Sequence, residues 1–167
     1  VNNAGVVNVN TTASFETTFN NTTAGSVLNV NNAGTLLSMQ NGQTIGGTVA
    51  LNSPTSTLVI SEIHGTPTTF NGTSITGTGT LSVAGSGLGP TTFPVANFTN
   101  VTATNATLSV GANGTANITG ATTFGNLFMN GGTLGGSAAL TVPGNLTFAS
   151  GTLGTTGGTS VNGTVSI

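Results

Sequence analysis

Ser61-Glu62-Ile63-His64 is the one segment where side chains able to move a proton gather. The chain holds two acids, Glu16 and Glu62, one His, and no Lys, Arg or Cys. In a strand, Glu62 and His64 point to the same side. A carboxylate could orient the imidazole as a general base there, with Ser61 or Ser74 as nucleophile. A serine adjacent to Glu62 in one strand faces the other way, however, and no further titratable group exists to complete a site. The sequence therefore predicts no enzyme and no catalytic residue. Metal chemistry fares little better. One His and two distant carboxylates cannot build a tetrahedral zinc site, and calcium loops draw on several carboxylates. A metal shared between subunits through Glu16 or Glu62 is the remaining option, and no cofactor is expected.

A second kind of chemistry is covalent modification. Eleven Asn-x-Thr sequons occur, at Asn10, Asn20, Asn21, Asn71, Asn97, Asn100, Asn105, Asn113, Asn117, Asn145 and Asn162, and none uses Ser. Chance placement of the Thr residues would give about four or five. N-glycans on these residues would explain the excess; so would alternating rows of Asn and Thr on one strand face. Thr-x-Thr at 66–68, 76–78, 78–80 and 102–104 raises ice binding through aligned hydroxyls, but the motif does not recur at a fixed interval. The Phe-rich stretches, Phe15/Phe19 and Phe93/Phe98/Phe124/Phe128/Phe148, read as core aromatics.

The elements that would position these residues follow from composition and spacing. The 167 residues include 27 Gly, 36 Thr, 21 Asn and 14 Ser, and charged residues make up 1%. Nucleic-acid binding is excluded, because no Lys or Arg can displace counterions from phosphates. A disulfide scaffold is impossible. Disorder fits poorly, because 35% of residues are hydrophobic and the mean hydropathy is +0.28. No apolar run approaches the roughly 20 residues of a membrane-spanning helix, so no membrane insertion is expected. Val1 to Asn10 has neither the basic region nor the apolar run of a signal peptide, so an exported protein would be represented here by a mature form or a fragment. Length suits a single all-β domain, 1–167.

Gly, Asn and β-branched residues are poor helix formers. Short alternating runs bounded by Gly, Asn, Pro or Ser predict strands instead, as in Thr80-Leu81-Ser82-Val83, Thr107-Leu108-Ser109-Val110 and Ala139-Leu140-Thr141-Val142. There is also an internal repeat. Residues 125–143 align with 144–162 at eight identities in nineteen, through Gly125-Asn126-Leu127 on Gly144-Asn145-Leu146 and Gly132-Thr133-Leu134-Gly135 on Gly151-Thr152-Leu153-Gly154. Thr-Thr-Phe recurs at 17–19, 68–70, 91–93 and 122–124. A period near 20 made of short strands and tight turns predicts a β-solenoid, a parallel β-helix with coils of about 20 residues. One such coil cannot bury its apolar face alone, whereas stacked coils can. Inward positions then take Val, Ile, Leu and Phe, and outward Asn forms ladders. The alternative is an antiparallel β-sandwich filament subunit that donates a terminal strand.

The Gly-Asn-Leu, Gly-Thr-Leu-Gly and Asn-Gly-Thr-Val elements of 125–167 resemble the β-helical passengers of autotransporters and filamentous-haemagglutinin-type surface proteins. The resemblance implies a right-handed parallel β-helix displayed outside a microbial cell, and no functional residue carries over, because such families share no active site. The expectation is a non-enzymatic structural subunit or segment of an extracellular or cell-surface fibre, with adhesion or biofilm roles. It would self-associate into a homopolymer through strand edges at Val7, Val9, Val165 and Ile167. An adhesin recognising cell-surface glycans is the alternative, and an ice-binding solenoid a minor one. Trypsin should leave the chain whole even after denaturation; a ladder of tryptic fragments would show that the mature molecule has another sequence.

Overall fold

The computed structural model describes residues 2–15, 17–32, 34, 36–39, 42–61, 66–85 and 93–167. Among them there is no helix. Every strand pairing is parallel, and the strands stack as about 7 coils of roughly 21 residues. The chain is an all-β solenoid, and the antiparallel sandwich is set aside.

Each coil visits three faces in turn. Face A stacks β1 (Val6–Val9), β4 (Val27–Val30), β7 (Thr48–Leu51), β10 (Ser74–Gly77), the start of β13 (Thr102–Gly111), the start of β15 (Thr122–Gly136), β16 (Leu140–Val142) and β18 (Thr159–Val161). Face B stacks β2 (Ala13–Phe15), β5 (Leu36–Met39), β8 (Thr57–Ile60), β11 (Thr80–Val83), the later parts of β13 and β15, β17 (Leu146–Leu153) and β19 (Val165–Ser166). Face C stacks β3 (Asn20–Asn21), β6 (Thr44–Ile45), β9 (Thr68–Asn71), β12 (Val95–Thr99), β14 (Thr115–Ile118) and the ends of β15 and β17. The long strands β13, β15 and β17 run through corners, so the hydrogen-bonded ladder continues from face to face.

Alternation decides which side chains enter the core, because successive residues of a strand point to opposite faces. On face B, Leu58, Leu81, Leu108, Leu127 and Leu146 stand in one buried column, and Ile60, Val83, Val110 and Met129 in the next. Thr-Leu-Ser-Val at 80–83 lies residue for residue on its copy at 107–110. The 19-residue repeat likewise stacks in register, with Leu127 on Leu146, Leu134 on Leu153 and Val142 on Val161. The Thr-Thr-Phe tripeptides do not mark one position: Phe70 belongs to face C and Phe124 to face A. They meet in the core all the same, through Phe98. Phe70 stacks on Phe98 at a centroid distance of 5.2 Å, and Phe98 meets Phe124 edge-on at 5.4 Å.

Coil length varies while register holds. Thr122 pairs with Leu140, 18 residues on, whereas Ser74 pairs with Thr102, 28 residues on. The longest connections in sequence run from β8 to β9 and from β11 to β12. Corners need left-handed backbone, supplied by Gly and, at φ 54° and 63°, by Asn100 and Asn113. Gly77 shows the tightest case: at φ +83°, an added Cβ would lie 2.0 Å from the Leu51 carbonyl oxygen of the coil before.

Truncation of one column member tests the packing. Leu108→Ala leaves a void between Leu81 and Leu127 and should cost about 2–5 kcal/mol. Chemical denaturation followed by far-UV circular dichroism would measure it; a loss under about 0.5 kcal/mol, the range of a surface change, would mean the column is not a packed core.

Candidate functional site

The proton-moving residues do not assemble into a site that the structure describes. Glu16 lies between β2 and β3, Glu62 and His64 lie between β8 and β9, and all three fall outside the described residues. The two serines weighed as nucleophiles are separated. Ser61 follows β8, where its Oγ hydrogen-bonds Ser38 Oγ at 2.6 Å; Ser74 stands on face A. No group of three His, Cys, Asp or Glu able to hold a metal occurs among the described residues. No helix long and apolar enough to cross a membrane is found among the described residues.

What the solenoid does build is rows of neutral polar side chains along its outside. At the corner leaving face A, Asn52 Nδ2 donates to Asn31 Oδ1 at 2.7 Å, and Asn31 Nδ2 donates to Asn10 Oδ1 at 2.9 Å. Asn29 donates to Asn8 at 2.8 Å one row inward, and Asn117 donates to Asn97 at 3.2 Å on face C. Lower down, the backbone joins in: the Asn145 N–H donates to Asn126 Oδ1, and the Thr164 N–H to Asn145 Oδ1, both at 3.0 Å. An amide carries both donor and acceptor, so each Asn can bond the coil above and the coil below. A carboxylate or ammonium in the same row would face its like about 4.8 Å away.

Face A also carries an outward hydroxyl row that the sequence reading missed. Thr48, Ser74, Thr102, Thr123, Thr141 and Ser160 lie in register on six consecutive coils. Unequal coil lengths hide this from any fixed-period search. The available signal was local: each of these residues directly precedes an inward apolar one, Val49, Ile75, Ala103, Phe124, Val142 or Val161. The neighbouring outward row begins Asn8, Asn29, Ala50, Thr76. It is mixed, so face A presents one hydroxyl row and not the two parallel ones an ice-like lattice would match.

The sequons divide by burial. Asn10, Asn71, Asn100, Asn105, Asn113, Asn145 and Asn162 are exposed. Asn20, Asn97 and Asn117 are half-buried within side-chain ladders. Asn21 is fully buried and accepts from Asn3 Nδ2 at 2.7 Å, which leaves no room for a glycan. Of the expected pairing residues, Val9 is buried in the first coil and Val7 is half-buried, whereas Val165 is half-exposed and Ile167 wholly exposed at the other end.

Comparison of the chain with protein-family models, with curated proteins and with solved structures finds no match. The likeness to autotransporter and haemagglutinin-type passengers therefore rests on the repeat elements of 125–167 alone.

The burial pattern makes a sharp statement about modification. Folded material recovered from a host that attaches N-glycans should carry none at Asn21. Site mapping by glycopeptide mass spectrometry checks this, and a glycan on Asn21 in folded protein would contradict the packing of the first two coils.

Proposed function

We propose that this chain is a non-enzymatic structural subunit or segment of an extracellular microbial surface fibre, self-associating through its strand edges. The observation that carries this reading is the continuous parallel ladder on all three faces. A three-sided stack of coils is a quasi-one-dimensional object whose stability is the sum of coil and coil–coil terms, so it lengthens without redesign. Seven to eight rungs at about 4.8 Å give a rod only about 35–40 Å long. As a subunit or a segment, such a rod gains reach by stacking on further coils. The near absence of charge supports the same reading, since little repulsion opposes the approach of one molecule to another. The repeat elements at 125–167 and the abundance of exposed sequons favour the cell exterior.

The hydroxyl row of face A favours a second reading, a module that binds cell-surface glycans, whose hydroxyl groups pair with neutral donors and acceptors without any need for charge. Electron microscopy of the purified chain over a range of concentrations separates the two. Filaments that persist in high salt are expected for the fibre, because backbone hydrogen bonds and apolar contacts are little screened. Dispersed short rods at every concentration would sink it and leave the glycan-binding reading in its place.

A further inference from the structure

Phe128 does not join the core that the sequence assigns to it. Alternation along β15 sends Leu127 and Met129 inward, where both are buried, and turns Phe128 outward onto face B, 37% exposed. Coils stack on both sides of it: Ser109 is its neighbour in the coil before and Thr147 in the coil after. Both are short. The next outward residues along β15 are amides, Asn126 on one side and Asn130 on the other. A single exposed apolar side chain is ordinary on a protein surface; these two amides set this one apart. Asn126 Oδ1 accepts from the Asn145 N–H at 3.0 Å, which holds the amide in place and leaves its Nδ2 without a partner among the described residues. Gly144 permits that approach, since an added Cβ there would lie 2.5 Å from Asn126 Oδ1. Asn130 is exposed, and its amide has no partner among the described residues. The ladder is irregular on both of its sides: Gly111 faces both Asn130 and Gly131, and Asn130 faces Ser150 with Ala149 passed over. Such bulges re-aim a side chain. The ring is thus flanked, about 7 Å along the strand in each direction, by amides with hydrogen-bonding capacity to spare.

We infer that Phe128, Asn126 and Asn130 form a binding site for a neutral sugar, one pyranose ring of a glycan chain. The site goes beyond the fibre reading and rests on the glycan-binding one, to which it gives a place on face B. The C–H groups on one face of a pyranose carry partial positive charge and settle on the negative face of an aromatic ring. Hydroxyls around the sugar's rim then point sideways to the amides, each of which offers both a donor and an acceptor. The occupant's chemistry follows from what the surface lacks. No charge stands beside Phe128 to meet a phosphate, a carboxylate or an amine; its outward neighbours are Ser109, Thr147 and the two asparagines. A protein partner would want a wider apolar centre, and here one ring stands among polar side chains. Nor is the arrangement a by-product of coil stacking. In the next copy of the 19-residue repeat Asn126 recurs as Asn145, which accepts from the Thr164 N–H in the same way, whereas Phe128 and Asn130 give way to Thr147 and Ala149.

The test titrates the isotope-labelled chain, followed by NMR, with maltotriose, cellotriose, mannotriose, galactotriose and chitotriose. At least one should shift the Phe128 ring signals together with the side-chain amide signals of Asn126 and Asn130, with a millimolar Kd as befits a single platform. Phe128→Ala should weaken that binding by about tenfold. Phe128→Leu should weaken it as much, because leucine keeps an apolar side chain but offers no ring face, whereas Phe128→Tyr should retain it. Asn130→Ala should cost about threefold. All four changes lie on the outside of β15, so the far-UV circular dichroism should stay that of the parent. A sugar that binds the parent, Phe128→Ala and Phe128→Leu alike, or whose shifts are confined to the face A row from Thr48 to Ser160, overturns this site and leaves the glycan-binding reading standing elsewhere. A parent chain that binds none of the five sugars overturns both.

Discussion

The structure depends on one requirement: each backbone N–H and C=O of a coil must meet its partner in the next coil, about 4.8 Å along the axis. Bonds such as Val27 N–H to the Gly5 carbonyl, Thr107 N–H to that of Gly79 and Leu146 N–H to that of Thr164 carry this along the rod. Each bond adds only about 1 kcal/mol net. Their larger effect is geometric, since they oblige every side chain to sit above a neighbour of matching direction. Apolar residues then form continuous columns, and outward residues form continuous rows.

Rows explain the composition. A charge repeated at each rung would repel itself, and a charge at one rung would find no neutralising neighbour. Asn and Thr escape both costs, because each can bond a copy of itself. Asn10–Asn31–Asn52 does so through amides, and Thr99 and Thr119 through hydroxyls 2.6 Å apart. The same logic reaches inside near the first coils, where Asn3 and Asn21 are buried together and satisfy each other. Burying a polar pair this way is tolerable only when its hydrogen bonds are made.

Corners give the fold its tolerance. The connection between β11 and β12 spans residues 84–94, yet Leu81 still lies on Leu108 and Phe70 on Phe98. The longest connections fall between a face B strand and a face C strand, and the faces stay in register while coil length changes. The described strands of all three faces hold neutral residues throughout.

Much of this was written in the sequence. Poor helix formers, alternation and Gly-bounded runs dictated short strands, and the 19-residue repeat at 125–162 showed that coils stack, because identical spacing of Leu127 and Leu146 has no use except in register. The lack of Lys and Arg argued against nucleic-acid binding by chemistry alone. Tertiary structure decided what local pattern cannot carry. Register across coils of 18 to 28 residues is fixed by which backbone groups meet, and so the hydroxyl row of Thr48 to Ser160 is invisible until the coils are stacked. Burial separated Asn21 from the other sequons, although all eleven look alike as tripeptides, because exposure belongs to the corner or interior a residue reaches and not to its neighbours in the chain. The alternating first segment was legible as a strand, but only stacking showed that Val9 stands in a buried column beside Val30.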